Sequence, residues 1–327
     1  MEKVKCDYCN SEYYSIFFNG YNFNKDKNNE INLVICNKCG LTYINPRPDK
    51  NEIKKYYDEY YNNKDNIEFK GLAKKIMYLR RYMRAKRIVE IKNSGRILDI
   101  GCGKGIFLNY MRKFGWDVFG IEISPIVIKY AKENFNLDIL MGSLEEHKFS
   151  SHFFDVITLY DVLEHLPHPF HTLKEIYRIL KPDGLLVFSV PNIYSWQAKI
   201  FKTKWVHLDI PRHFFLFNRE FLFKMLNTEK QWNIIKVKNF SFNDIFGWIQ
   251  SILNCIFPAE NIFSNIMKSN KISSISIYSK IQFKIYHLVK VTVNLILWFF
   301  LFVPVLFLSI LSSFARQNAI LELYCKK

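Results

Sequence analysis

At 327 residues and 49% apolar content the chain can bury a full core, enough for one large domain with a smaller one or with an anchor. Lys and Arg number 46 against 30 Asp and Glu, a net charge of +16. No five consecutive residues are Lys or Arg, so the charge reads as a bias spread along the chain and not as a nucleic-acid-binding tail. The seven cysteines fall as two Cys-x-x-Cys pairs and three singles, a metal pattern and not a disulfide framework, and Met1 to Cys6 lacks the apolar core of a secretion signal.

In chain order, residues 1–48 carry Cys6-x-x-Cys9 and Cys36-x-x-Cys39 with 26 residues between the pairs. Four thiolates at that spacing suit one tetrahedral Zn²⁺ in a structural site, with a β-hairpin taking up the intervening chain. Four thiolates leave no open position for catalysis. Residues 49–93 show helical periodicity through Tyr56, Tyr57, Tyr60 and Tyr61 and then Leu72, Ile76, Leu79, Met83 and Ile88, which predicts a helical lid or linker.

From 94 to 245 strand and helix alternate: strands at Ile97–Ile100, Asp117–Glu122, Asp138–Met141, Phe154–Tyr160 and Leu185–Val190, with helices between them. Such alternation predicts an α/β fold, a parallel sheet covered by helices on both faces. Ligands on such sheets bind beyond the carboxyl ends of the strands. The first strand ends there in Asp99-Ile-Gly101-Cys-Gly103-Lys-Gly105. Glycines there admit positive φ and close approach of a nucleotide-type ligand to the next helix. Glu122 closes the second strand, 17 residues after Gly105, where a carboxylate can accept both ribose hydroxyls.

The succession Leu98-Asp-Ile-Gly-Cys-Gly103, Glu164-His165-Leu166 and Leu180-Lys-Pro-x-Gly184 resembles class I S-adenosylmethionine-dependent methyltransferases, in particular the family 23 and quinone-type O-methyltransferases. The resemblance is dense over 96–192 and implies a Rossmann-like seven-stranded sheet with S-adenosylmethionine as cofactor. It implies cofactor-binding roles for Asp99, Gly101, Gly103, Gly105, Glu122, Ser143 and Tyr160, with Asp99 orienting the glycine loop and Ser143 beside the adenine. It also implies a place for a divalent ion near Asp161, Glu164 and His165, although Tyr160 stands where an acid is expected.

Residues 205–218 concentrate ionisable groups among aromatics, in Trp205-Val-His207-Leu-Asp209-Ile-Pro-Arg212-His213, where similar enzymes line the acceptor pocket. Methyl transfer to a hydroxyl needs a route for its proton, which imidazole supplies near neutral pH. His213 is therefore the first candidate base and His165 the second, with Arg212 and Glu164 assigned to substrate binding.

Val291–Ala315 runs 25 residues without a charge, long enough to cross a bilayer. The tail 317–327 alternates like a strand, however. If Trp232–Phe242 and 318–325 are the sixth and seventh strands, the insertion 246–316 returns to its starting side and reads as a membrane-dipping hairpin. The expectation is a membrane-associated O-methyltransferase with its catalytic domain in the cytoplasm. Its acceptor is a small or lipid-linked molecule, a glycan or sugar intermediate first and a quinone second; no nucleic-acid partner is expected, since no Asn/Asp-Pro-Pro-Tyr motif occurs. A zinc-ribbon scaffold with an inactive methyltransferase fold is the reading from a different class.

Overall fold

The computed structural model describes residues 1–21, 31–65, 71–228, 232–240, 242–256 and 300–327. Its first strands, β1 (Tyr14–Tyr21) and β2 (Ile31–Cys36), pair antiparallel as the predicted hairpin, and β3 (Thr42–Asn45) adds to β2. Helices α1 (Lys50–Asp65) and α2 (Gly71–Val89) follow.

The larger sheet begins at β4 (Arg96–Ile100), whose last four residues are buried, as a strand with neighbours on both sides and layers on both faces requires. After α3 (Ile106–Lys113) come β5 (Asp117–Glu122), α4 (Pro125–Phe135), β6 (Ile139–Met141), β7 (Phe154–Tyr160), α5 (Pro169–Ile179) and β8 (Leu180–Pro191). Then follow α6 (Trp196–Phe201), β9 (Phe215–Leu216), α7 (Arg219–Thr228), β10 (Asn233–Lys238), α8 (Phe242–Ile256) and β11 (Ile320–Lys326). The seven-stranded order is β10-β11-β8-β7-β4-β5-β6. All neighbours from β8 to β6 are parallel, and β11 runs antiparallel between β8 and β10. The chain therefore leaves β4 in one direction through β5 and β6 and returns on the other side through β7 and β8. That reversal opens a crevice at the carboxyl end of β4.

Period-two alternation divides the core between the two faces. Ile97, Val156 and Val187 pack with Ala85 and Ile88 of α2 and Phe107 and Met111 of α3. Leu98, Ile157 and Phe188 face the other way onto Leu173 and Ile176 of α5. One expectation changes here. Strand β8 starts at Leu180 instead of Leu185, because Leu180 already pairs with Phe154 and the ladder shifts register before Val156 pairs with Leu185. The cysteine segment packs into the main core: Leu33, Val34, Leu41 and Ile44 are fully buried in the same cluster as Leu98 and Phe188.

β11 fills the predicted place of the seventh strand, so the chain after the insertion closes the sheet. Of the apolar run, 291–299 lie outside the described residues, as does 257–290 of the insertion. Residues 300–314 are helical, and Val305 is buried against Ile245, Trp248, Ile249 and Leu253 of α8. Among the described residues no helix is long and apolar enough to cross a membrane.

Candidate functional site

The crevice opens into a cavity of about 1430 Å³ walled by the carboxyl ends of β4, β5 and β7, the first cysteine knuckle, α1 and the 205–218 loop. Single-ligand pockets are typically about 300–1,000 Å³, so there is room for two molecules side by side.

The β4 end is built for close backbone approach. Gly101, Gly103 and Gly105 have φ of 68°, 54° and 69°. A Cβ on Gly101 would sit 2.5 Å from Val162, whereas one on Gly103 would meet nothing within 4 Å. The first glycine admits its neighbour and the second leaves a face open to a ligand. Gly105 differs, since a Cβ there would press on Leu137 at 2.7 Å, and its role is to seat α3 against the sheet. Asp99 is buried and accepts a hydrogen bond from Thr158 Oγ1 at 2.6 Å; burial raises its pKa to about 7, so it braces the turn from behind. Glu122 is fixed by backbone donors: Gly103 N to Oε2 at 2.9 Å, and Ile123 N and Ser124 N to Oε1 at 2.7 and 3.0 Å. Its carboxylate ties the glycine turn to β5 and lines the cavity together with Gly101, Ser143 and Tyr160.

Beyond β7 the chain turns through Asp161, at φ 61°, into a short 3₁₀ turn, Leu163–His165. Asp161 accepts from Ser189 Oγ at 2.6 Å and pairs with Arg84 Nη2 at 3.3 Å. Burial opposes its ionisation, but Arg84 and the Ser189 hydroxyl outweigh that and hold it near 2. The Arg84 guanidinium also lies over the Tyr160 ring, 3.9 Å from its centre. Arg80 and Arg81, on the same helix, form no hydrogen bond or ion pair with the described residues. Burial and then the neighbouring Arg84 lower both to about 10. Sequence reading missed this arginine cluster, although its 80, 81, 84 and 87 spacing puts it on one helix face.

His165, His213 and Glu164 come together with ligand-capable atoms all within 4.8 Å of one another, a set able to hold a cation. The rings of His165 and His213 meet edge-on at 4.5 Å. His165 Nδ1 lies 2.9 Å from Arg212 O and His213 Nδ1 lies 3.1 Å from His207 O. A carbonyl only accepts, so both Nδ1 atoms carry the proton and both Nε2 atoms keep a lone pair. Burial lowers both histidines, His213 to about 3, with the His165 ring adding to the effect. Burial raises Glu164 well above its usual range, and Glu164 Oε2 has no hydrogen-bond partner among the described residues. His165 lies on the cavity wall beside Tyr57, whereas His213 and Glu164 sit behind it. Arg212 also lines the cavity, but its guanidinium grips the Asp209 carboxylate at 2.6 Å to each oxygen.

In the ribbon, Cys6 Sγ and Cys39 Sγ are 3.5 Å apart, as are Cys9 Sγ and Cys36 Sγ, and all four sulfurs lie within 4.8 Å of one another. A Zn²⁺ tetrahedron with bonds of about 2.3 Å sets its sulfurs roughly 3.8 Å apart, so the donor set fits that ion.

A family profile described as a methyltransferase domain matches residues 70–237, just over half of the chain. Among curated proteins, the mitochondrial ubiquinone biosynthesis O-methyltransferase of Schizosaccharomyces pombe is 32% identical over 161 residues, which cover 46% of this chain and 57% of that protein. The ubiquinone biosynthesis O-methyltransferase of Actinobacillus pleuropneumoniae serotype 5b is 36% identical over 129 residues, 36% of this chain and 55% of that one. The chain spans just over half the length of these relatives. A solved S-adenosylmethionine-dependent methyltransferase from Archaeoglobus fulgidus aligns at 20% identity and TM-score 0.48, covering 83% of this chain and all of that one.

Proposed function

The chain belongs to the methyltransferase domain family, and on that premise we propose that it moves the methyl group of S-adenosylmethionine to a hydroxyl of a lipid-linked or envelope sugar intermediate at a membrane surface. The observation that carries this reading is that Gly101, Glu122 and His165 line one and the same cavity.

S-adenosylmethionine, when bound, supplies a methyl on a sulfonium whose departure leaves a neutral thioether. Glu122 would accept the ribose hydroxyls, with Gly103 leaving open the space beside it, and Ser143 would stand at the adenine end. On the acceptor side, His165 presents an unprotonated Nε2 from the wall and takes the hydroxyl proton as the oxygen gains its methyl. His213, the first candidate from sequence, serves as the positioning partner behind it. Asp209 occupies Arg212, so Arg212 supports the loop carbonyl that orients His165 more directly than it meets an anion. Zn²⁺ held by Cys6, Cys9, Cys36 and Cys39 would be structural.

Polar groups interleaved with Tyr8, Tyr57, Phe170 and Trp232 on the cavity wall suit a sugar's hydroxyls and apolar ring face. The helix over 300–314 exposes Val303, Phe307, Ile310, Leu311 and Phe314, a spacing that gathers on one side and supports contact with lipid. A quinone-type acceptor is the second reading, favoured by the names of the curated relatives. Labelled S-adenosylmethionine offered with polyprenyl-linked sugars and, separately, with a catechol quinol tests the proposal. Alkali-stable label should enter the sugar-lipid fraction. Label in the quinol alone would select the second reading, and label in neither would reject both.

A further inference from the structure

The cysteine ribbon reaches further into the site than a folding staple needs to. Its strand β3 pairs with β9, Tyr43 opposite Phe215 and Thr42 opposite Leu216, and Ile44 N donates to Phe214 O at 3.0 Å. Those partners directly follow Arg212 and His213. Phe214 N in turn donates to Glu164 O at 2.9 Å, so the ribbon, the acceptor loop and the turn carrying His165 form one hydrogen-bonded series. A second set of contacts grips the chain just after His165. Arg47 Nη1 donates to Pro167 O at 2.9 Å, Asp7 Oδ1 lies 2.8 Å from His168 Nδ1, and the Tyr8 ring packs on Phe170 and Phe221 at 5.0 and 5.2 Å. Asp7 and Tyr8 are the two residues between Cys6 and Cys9, and Val4, Asp7, Tyr8 and Arg47 all face the cavity.

The glycine turn is held by different bonds. Gly101 N and Cys102 N donate to Ile121 O, Gly103 N to Glu122, and Thr158 to Asp99, all within the seven-stranded sheet.

We infer that the ribbon is the acceptor-side wall of the site, and that closing its four thiolates on a metal ion sets the positions of the His165 turn and the Arg212–Phe217 segment while leaving the glycine turn independent. The inference rests on the methyl-transfer reading only for the word acceptor; the mechanical coupling stands without it. A knuckle closed on an ion presents Asp7 and Tyr8 in one fixed geometry. Opened, it releases both grips together, because each anchoring residue lies within a knuckle, on the strand β3 that leaves the second one, or, as Arg47 does, two residues past that strand.

Hydrogen exchange of the full chain, zinc-loaded and then chelated with release of the ion measured separately, tests this together with calorimetry of S-adenosylhomocysteine. Chelation should raise exchange about tenfold or more across 164–170 and 212–217 and leave 96–122 unchanged, an opening confined to one part of the fold. S-adenosylhomocysteine affinity should stay within about twofold. Tyr8→Ala, which keeps all four thiolates, should retain its zinc and still loosen 164–170. Unchanged exchange in these segments after the ion has left, or loosening that spreads equally to 96–122, overturns the inference. Failure of S-adenosylhomocysteine to bind either form would instead count against the methyl-donor reading, with the exchange coupling still measured.

Discussion

His213 is neutral because it is buried next to another imidazole and donates its only N–H to a backbone carbonyl, with its Nε2 3.9 Å from Glu164 Oε1. This has a pH signature. An unfolded histidine takes up a proton below about pH 6.5, whereas folded His213 refuses one until about 3. Between those values the unfolded state binds more protons, so this residue makes stability fall as pH falls through that window and contributes no pH dependence above it. Compared with His213→Gln, the wild type should lose ground progressively from pH 6.5 downward, and the two melting curves should run parallel above it. Thermal melts at pH 7.5 and 5 check this; a constant gap would contradict a depressed His213. At the same scale the sequence ranks His213 above His165, and the structure puts His165 on the wall. The ranking needed the path of residues 205–218 beneath the β7 end, which is set by pairing with β3 some 170 residues earlier. The positions of Asp99, Gly101 and Glu122 at the strand ends were legible because a strand, a turn and the next strand's end form a local unit. The Arg80, Arg81 and Arg84 face was passed over because basic residues on a helix usually face solvent, and only the fold shows Arg84 buried and bonded to Asp161.

Among the elements, the strands of the large sheet follow the apolar alternation closely, and β11 takes the seventh place that the tail's pattern indicates. The cysteine segment was harder to place. Its spacing marks four thiols able to hold a metal ion, but the burial of Leu33, Val34 and Leu41 in the main core depends on long-range packing. The helix over 300–314 has two unlike faces: Val305 is buried on α8, while Val303, Phe307 and Phe314 are 71%, 60% and 83% exposed. Fully burying a large apolar side chain stabilises by about 1.5–3 kcal/mol, so such a face can hold the protein at a lipid surface. The protein should float with vesicles of phosphatidylcholine and phosphatidylglycerol, and Phe307→Asp with Phe314→Asp should reduce the floating fraction at least about tenfold. Wild-type protein that stays with the dense fraction would contradict a role for this face in lipid binding.

At the scale of the whole molecule, the seven-stranded sheet, the ribbon and the 205–218 loop meet around one cavity, each supplying a wall. The sheet provides the glycine turn and the Glu122 carboxylate. The ribbon and the loop surround His165 on the wall of the same cavity, with His213 behind it. Under the proposed function methyl-donor binding falls to Glu122 and acceptor chemistry to His165, two residues of one cavity wall, and that division is measurable without knowing the acceptor. Calorimetric titration of S-adenosylhomocysteine into the wild type, Glu122→Ala and His165→Ala addresses it directly. The wild type should bind one equivalent, and His165→Ala should bind with unchanged affinity. Glu122→Ala should bind at least about tenfold more weakly, the loss of one charge-assisted hydrogen bond or more. Wild-type protein that takes up no S-adenosylhomocysteine, or a Glu122→Ala variant that binds as well as the wild type, would contradict the account.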